Sequence, residues 1–235
     1  MRRMEGAEFD QLVDFFDQMA TTNWLSQLHS HLKQQSGSWQ GKAVADIGCG
    51  TGRLLLRGST EASELTGVDL SAGMVTRANA LFQEKGIAHK AKAVQGDAAS
   101  LPLASGAFDI AFSTCVLFLL PDLHQGVKEM ARILKPGGIA ILLNPAPAMA
   151  VETARAYAQK QQFPKEETDY LLKWATVSER RHRKSTAELS DILKNWGFAD
   201  VSHELVLEGL ALISKAKRKS NRLLLNNKDI FPEAQ

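Results

Sequence analysis

The stretch Val44-Ala45-Asp46-Ile47-Gly48-Cys49-Gly50-Thr51-Gly52-Arg53 decides the fold. A short apolar run, of strand length, delivers three glycines just ahead of a helical pattern. In an open parallel sheet such a loop stands at the carboxyl end of its strand, where ligands bind. Glycines there let the backbone turn tightly and approach a ligand without a Cβ in the way. The spacing is Gly-x-Gly-x-Gly, whereas dinucleotide folds carry Gly-x-Gly-x-x-Gly with a pyrophosphate at the helix start. Asp46, two residues before the first glycine, is a poor neighbour for a pyrophosphate and a good one for an ammonium.

Working outward, short apolar runs alternate with helical ones. Residues 43–47, 65–68, 91–94, 108–113 and 139–143 read as strands, and 53–59, 72–85 and 123–134 as helices between them. Ser71 and Asp122 stand as caps, with Gly86 and Pro136-Gly137-Gly138 as stops. This alternation implies a doubly wound parallel sheet with helices on both faces. Residues 148–180 read as two helices parted by Pro164, and Ser185-Thr186-Ala187-Glu188 opens a third that Gly197 closes. Residues 201–207 and 210–214 form an antiparallel pair at one sheet edge, turning at Glu208-Gly209. Ahead of the sheet, apolar residues of 9–34 recur at helical spacing.

The composition is that of a soluble globular chain. With 235 residues, 44% apolar and 23% charged, a sizeable core can form, and collagen-like, disordered and disulfide-stapled classes are excluded. Residues 215–235 carry six bases against two acids, +4, so the rest of the +2 chain carries −2. Such a body lacks the basic footprint of a nucleic-acid binder. No apolar stretch has the ~20 residues of a membrane span, and no signal peptide is read at the start, so a cytoplasmic protein is expected. Cys49 and Cys115 read as reduced thiols, and no histidine has metal-ligand spacing.

Two further acids end strands. Asp69, in Gly67-Val68-Asp69-Leu70-Ser71, lies 17 residues past Gly52, where an acid can accept both hydroxyls of a ribose. Asp97, in Gln95-Gly96-Asp97-Ala98, can accept from an adenine amino group. Together with Leu101-Pro102, Phe108-Asp109-Ile110 and Leu134-Lys135-Pro136-Gly137-Gly138, these motifs resemble the class I S-adenosylmethionine-dependent methyltransferases, in order over residues 43–144. The resemblance reaches the metabolite-modifying branch and implies a Rossmann-like, seven-stranded sheet, mostly parallel with one antiparallel edge strand. It implies S-adenosyl-L-methionine as cofactor. Gly48, Cys49, Gly50 and Gly52, with Asp46, would line its methionine part, Asp69 would hold the ribose, and Asp97 and Ala98 would meet the adenine. Leu70 and Met74 would give apolar contact to the adenosine, and Ser113 and Thr114 would flank the methyl being transferred.

The expected organisation is an N-terminal helical lid (1–40), a cofactor domain (41–218) with a helical insertion at 145–184 as substrate cover, and a basic, frayed tail (219–235). Phe16, Trp24, Phe118 and Asn144 are candidates for the acceptor pocket. Asp109 reads as structural, at the start of its strand. Cys49 and Cys115 lack a base that would make either a nucleophile. His29 and His31 read as helix-surface residues, and Arg180-Arg181-His182-Arg183-Lys184 as a solvated run, with a place at the pocket mouth as its alternative. Many relatives carry a histidine after strand four, whereas Val116-Leu117-Phe118-Leu119-Leu120 stands here.

The expected activity is in-line methyl transfer to a small molecule, working through proximity and orientation by a monomer or homodimer. Rival readings are a non-catalytic cofactor-binding regulator and, more distantly, a nicotinamide-dependent oxidoreductase.

Overall fold

A computed structural model describes residues 5–220. The expected frayed tail therefore lies almost wholly outside the described residues. Seven strands, β1 (Ala43–Ile47), β2 (Glu64–Asp69), β3 (Ala91–Gln95), β4 (Phe108–Thr114), β5 (Leu134–Pro145), β6 (Phe198–Val206) and β7 (Ala211–Arg218), form one sheet in the order β3-β2-β1-β4-β5-β7-β6. The first five strands run parallel, as their short apolar runs and helical crossovers predict. The strand that opposes them is β7, which pairs antiparallel with both β5 and β6 and so lies one place in from the edge. Strand order reverses between β1 and β4, which opens the crevice characteristic of doubly wound sheets.

Period-two alternation divides the strand residues between two cores. Val44, Ile110, Phe112, Ile141 and Leu143 face α3 (Asn23–Ser36), α4 (Ala72–Glu84), α6 (Val151–Lys160) and α7 (Lys165–Glu179). Ala45, Ile47, Ala111, Ala140 and Leu142 face α5 (Leu123–Ile133) and α8 (Thr186–Asn195). The capping signals act as their chemistry requires. Ser71 accepts from Met74 N at the head of α4, Asp122 from His124 N at the head of α5, and Ser185 and Glu188 close a capping box on α8.

The helix expected over 53–59 does not form. Only Leu55–Gly58 coil, as a single 3-10 turn with no capping side chain, and Arg53 just ahead of it makes two hydrogen bonds to Asp17, at 2.6 and 3.0 Å.

The chain before the sheet adds α1 (Gly6–Asp10) and α2 (Val13–Met19), which have one buried residue between them, Met19. Carboxylates hold them instead. Asp10 accepts from Ser71 Oγ and Gly73 N at 2.5 and 3.0 Å, and Asp17 also accepts from Arg77 at 3.2 Å. Burial would raise the Asp17 carboxyl, but the bonds and charges of Arg53, Thr51 and Arg77 hold it below the ordinary range. Behind them Tyr170 of α7 donates to Gln18 at 2.6 Å, and Trp24 stacks on Trp174 at 5.9 Å.

Asp17→Ala is expected to free α1 and α2 first, by about 1–3 kcal/mol. Amide hydrogen exchange should accelerate across residues 6–19 while α5, on the other face, keeps its protection.

Candidate functional site

A cleft lies over the carboxyl ends of β1 to β4. Its floor is the glycine loop. Gly48 N and Cys49 N both donate to the Val68 carbonyl, at 2.7 and 3.0 Å, and Gly50 N donates to Asp69 Oδ2 at 2.8 Å. Gly48 has φ +73°, and a Cβ there would fall 2.0 Å from Val116 Cγ2, so glycine is required on both counts. Gly67 admits the Cys49 side chain, because a Cβ on it would stand 2.6 Å from Cys49 Sγ. Burial, then the charges of Asp69 and Asp46, push the Cys49 thiol far above its usual range, and burial pushes Cys115 up likewise. Neither is a thiolate nucleophile near neutral pH.

The two acids of the floor differ in their partners. Asp69 receives the amides of Gly50 and Ser71, and burial still raises it above the ordinary carboxylate value. Asp46 is 2% exposed and its Oδ1 has no partner. Burial, and then the charge of Asp69, push it up to about 7. A buried carboxyl with a free oxygen at the mouth of a glycine loop is an acceptor in search of a cationic donor. Asp97, past the end of β3, receives the Ala99 amide at 2.9 Å.

Of the residues expected to hold a cofactor, Asp46, Gly48, Cys49, Gly50, Asp69, Leu70, Met74, Asp97, Ala98 and Thr114 line this one cleft. Gly52 and Ser113 stand outside its lining, Gly52 packed toward Phe82 and Ser113 buried in β4 with its hydroxyl unpartnered. Of the acceptor candidates, Phe16 lines the cleft. Trp24 is committed to its stack on Trp174, Phe118 is buried in a core, and Asn144 is buried near the end of β5 with both amide atoms unpartnered. Asp109 takes the structural place expected of it, receiving Ala43 N and Lys135 Nζ.

Other cleft walls come from places the sequence pattern did not mark. Phe9, Met19, Ala20 and Leu25 descend from the N-terminal helices, and Leu119, Leu120 and Pro121 stand opposite after β4. Residues 145–184 contribute nothing to the lining among the described residues; α7 supports the N-terminal segment from behind. The basic run stitches loops together, with Arg183 donating to Met149 O at 2.7 Å and Lys184 pairing with Glu188 at 2.8 Å. His29 is the largest departure from expectation. It is 5% exposed and lines the cleft, whereas His31 faces out and pairs with Glu204 at 2.8 Å. Spacing holds the signal that places it: His29 stands four residues after Leu25 and three before Leu32, on the apolar stripe of α3.

Residues 45–142 match the family model described as a methyltransferase domain. That stretch of the chain is therefore similar to a methyltransferase domain. A sterol 4-C-methyltransferase of Caenorhabditis elegans is 30% identical over 133 residues, covering 57% of this chain and 40% of that one. A demethylmenaquinone methyltransferase of Desulfitobacterium hafniense is 38% identical over 109 residues, 45% of this chain and 43% of that one. The matched stretch thus spans less than half the length of either relative. Among solved structures, a phosphoethanolamine N-methyltransferase of Haemonchus contortus, in complex with S-adenosylhomocysteine, superposes with a TM-score of 0.67 at 16% identity, covering 90% of this chain and 58% of that one. The fold is therefore shared well beyond the reach of sequence identity.

Asp46 supplies a pH-dependent test. Its raised value means the folded protein keeps a proton that the unfolded chain releases near 3.8, so stability falls as pH rises from there through about 7. Asp46→Asn removes that loss. Thermal melting of the ligand-free protein should show a gain at pH 8, on the order of 1–4 kcal/mol, that shrinks toward pH 4.

Proposed function

We propose that the protein is an S-adenosylmethionine-dependent methyltransferase acting on a small, largely apolar acceptor. The observation that carries this reading is the unpartnered, buried Asp46 oxygen beside the glycine loop, in one cleft with Asp69 and Asp97. The arrangement fits the cofactor's chemistry. Asp46 would receive the ammonium of its methionine part, Asp69 the ribose hydroxyls and Asp97 the adenine edge, with Leu70 and Met74 against the adenosine. The Haemonchus enzyme's complex with S-adenosylhomocysteine supports the same choice of ligand. A nicotinamide dinucleotide is disfavoured, because its pyrophosphate would meet two buried carboxyls instead of a free helix N-terminus.

When bound, the cofactor supplies a methyl group on a sulfonium centre and departs as a neutral thioether, which needs no protonation. The chain's own work is holding and enclosing. The glycine loop and Asp46 fix one end of the cleft, and the apolar walls from Phe16, Met19, Leu25, Leu119 and Leu120 close the other. Alignment of two reactants in near-attack geometry removes much of the entropic part of a displacement barrier. Walls that exclude water also keep it from competing as the nucleophile. The N-terminal helices act as the lid, and with the segment after β4 they select the acceptor. No described helix is long and apolar enough to cross a membrane; we assign the enzyme to the cytoplasm, as a monomer or homodimer, with no nucleic-acid partner.

Incubation with cofactor labelled in the methyl group, across metabolite, RNA and protein fractions, should label the metabolite fraction. Binding without transfer to any fraction would favour a non-catalytic regulator, and binding of NADH in its place would overturn the reading. Asp69→Ala should weaken cofactor binding by about 1–3 kcal/mol in calorimetry, the cost of leaving polar groups unpaired.

A further inference from the structure

Helix α3 turns one polar side chain into the cleft. His29 stands on the apolar stripe of Leu25, Leu28 and Leu32, is 5% exposed, and its Nδ1 is buried with no hydrogen-bond partner among the described residues. A leucine at that place would extend the stripe without the cost of an unsatisfied polar atom. The neighbours within the cleft offer little compensation. Leu25, Leu54 and Met19 are apolar, and Cys115 is a neutral thiol. Thr114, across the same cleft, also has a buried hydroxyl without a partner. The cleft thus combines carboxyls beside the glycine loop with a largely apolar lining that includes one imidazole.

Resting on the methyltransferase reading, we propose that His29 is the specificity-determining residue for the acceptor: its ring hydrogen-bonds a hydroxyl carried by an otherwise apolar molecule. A neutral imidazole has one donor and one acceptor nitrogen, so it can give or take one bond with a hydroxyl. The protein keeps the ring neutral. Burial, and then the charge of Arg57, push His29 down to about 3, while Arg57 itself is occupied with Ser26 at 2.6 Å. A ring so placed is a poor proton sink and a good neutral recognition group. It reads a hydroxyl in the way a polar point in an apolar pocket rejects an analogue that lacks one. His29 is therefore assigned to recognition and orientation of the acceptor, and the loop after β4 needs no histidine for that task.

The test uses the full chain saturated with S-adenosylhomocysteine and compares 2-naphthol with naphthalene, which differ by one hydroxyl. Calorimetry gives the affinity of each for the wild type, for His29→Phe and for His29→Gln. The naphthol-to-naphthalene affinity ratio is expected to fall about tenfold in His29→Phe, with S-adenosylhomocysteine affinity unchanged within twofold. His29→Gln keeps a polar head and should retain part of the ratio, which also covers the case in which the phenylalanine variant does not fold. A fall of less than threefold in the folded variants overturns the proposal. So does failure of 2-naphthol to bind a wild-type protein that does bind S-adenosylhomocysteine. A wild type that binds no S-adenosylhomocysteine refutes the underlying methyltransferase reading, and this inference with it.

Discussion

Much of this molecule depends on how the end of β2 receives the loop that leaves β1. The Val68 carbonyl takes two successive amides, Gly48 and Cys49, and the next residue, Asp69, takes a third from Gly50. These bonds curl the loop over the sheet and engage Asp69 Oδ2, while the Ser71 amide engages Oδ1. They leave Asp46, on the neighbouring strand, buried and without a donor for Oδ1. Two carboxyls in one low-dielectric place cannot both ionise without cost, so one of them carries a proton near neutral pH. Stability is spent at this point, and the site recovers it only when a cation arrives. Local strain of this kind belongs to a preorganised site, since the groups that will hold the ligand are set before it binds.

The cover over this floor is held by different means. A hydrophobic lid would bury apolar residues, yet α1 and α2 bury Met19 alone and are fastened by Asp10 and Asp17 to the first turn of α4, to Arg53 and to Arg77. Half-exposed ion pairs contribute less than core packing and yield more readily to local opening. Under the proposed methyl transfer the cleft would admit two molecules and release two, and a cover of this strength suits that traffic. Of the two helices of 151–179, α7 braces the arrangement from outside through Tyr170 and Trp174. Their distance from the cleft gives them a supporting part.

The sheet was legible in the sequence because its signals are local and repeated. Each parallel strand is a short apolar run, each crossover helix but the first has a capping side chain, and the glycine loop has one spacing. Asp46, Asp69 and Asp97 were legible too, because strand ends in a parallel sheet converge on one crevice wherever the helices go. The segment 53–59 was not: it has no capping side chain, and only Leu55–Gly58 coil, as a 3-10 turn. Trp24 and Phe118 misled for a related reason: an aromatic residue on an apolar stripe faces inward in either case, and only tertiary packing decides between a core and a cleft. His29 was hidden by its type. A histidine in a polar helix reads as surface, although its position relative to Leu25 and Leu32 places it on the buried stripe.

The segment after β4 joins these pieces. Cys115 follows the strand with φ +59°, a conformation that costs a side-chain-bearing residue about 1–2 kcal/mol, and its amide is held by Leu143 O at 2.9 Å. The left-handed turn brings Val116 against Gly48, where a single added carbon on the glycine would collide with it. Leu119, Leu120 and Pro121 then continue along the cleft wall. The cleft wall after β4 and the glycine loop are therefore packed directly on one another. A displacement of either is felt by the other through the Val116 contact, because close-packed interiors transmit strain instead of absorbing it. Two reactants that must meet in line are best held by walls that cannot shift independently, and the strain kept at Cys115 is the local cost of that arrangement.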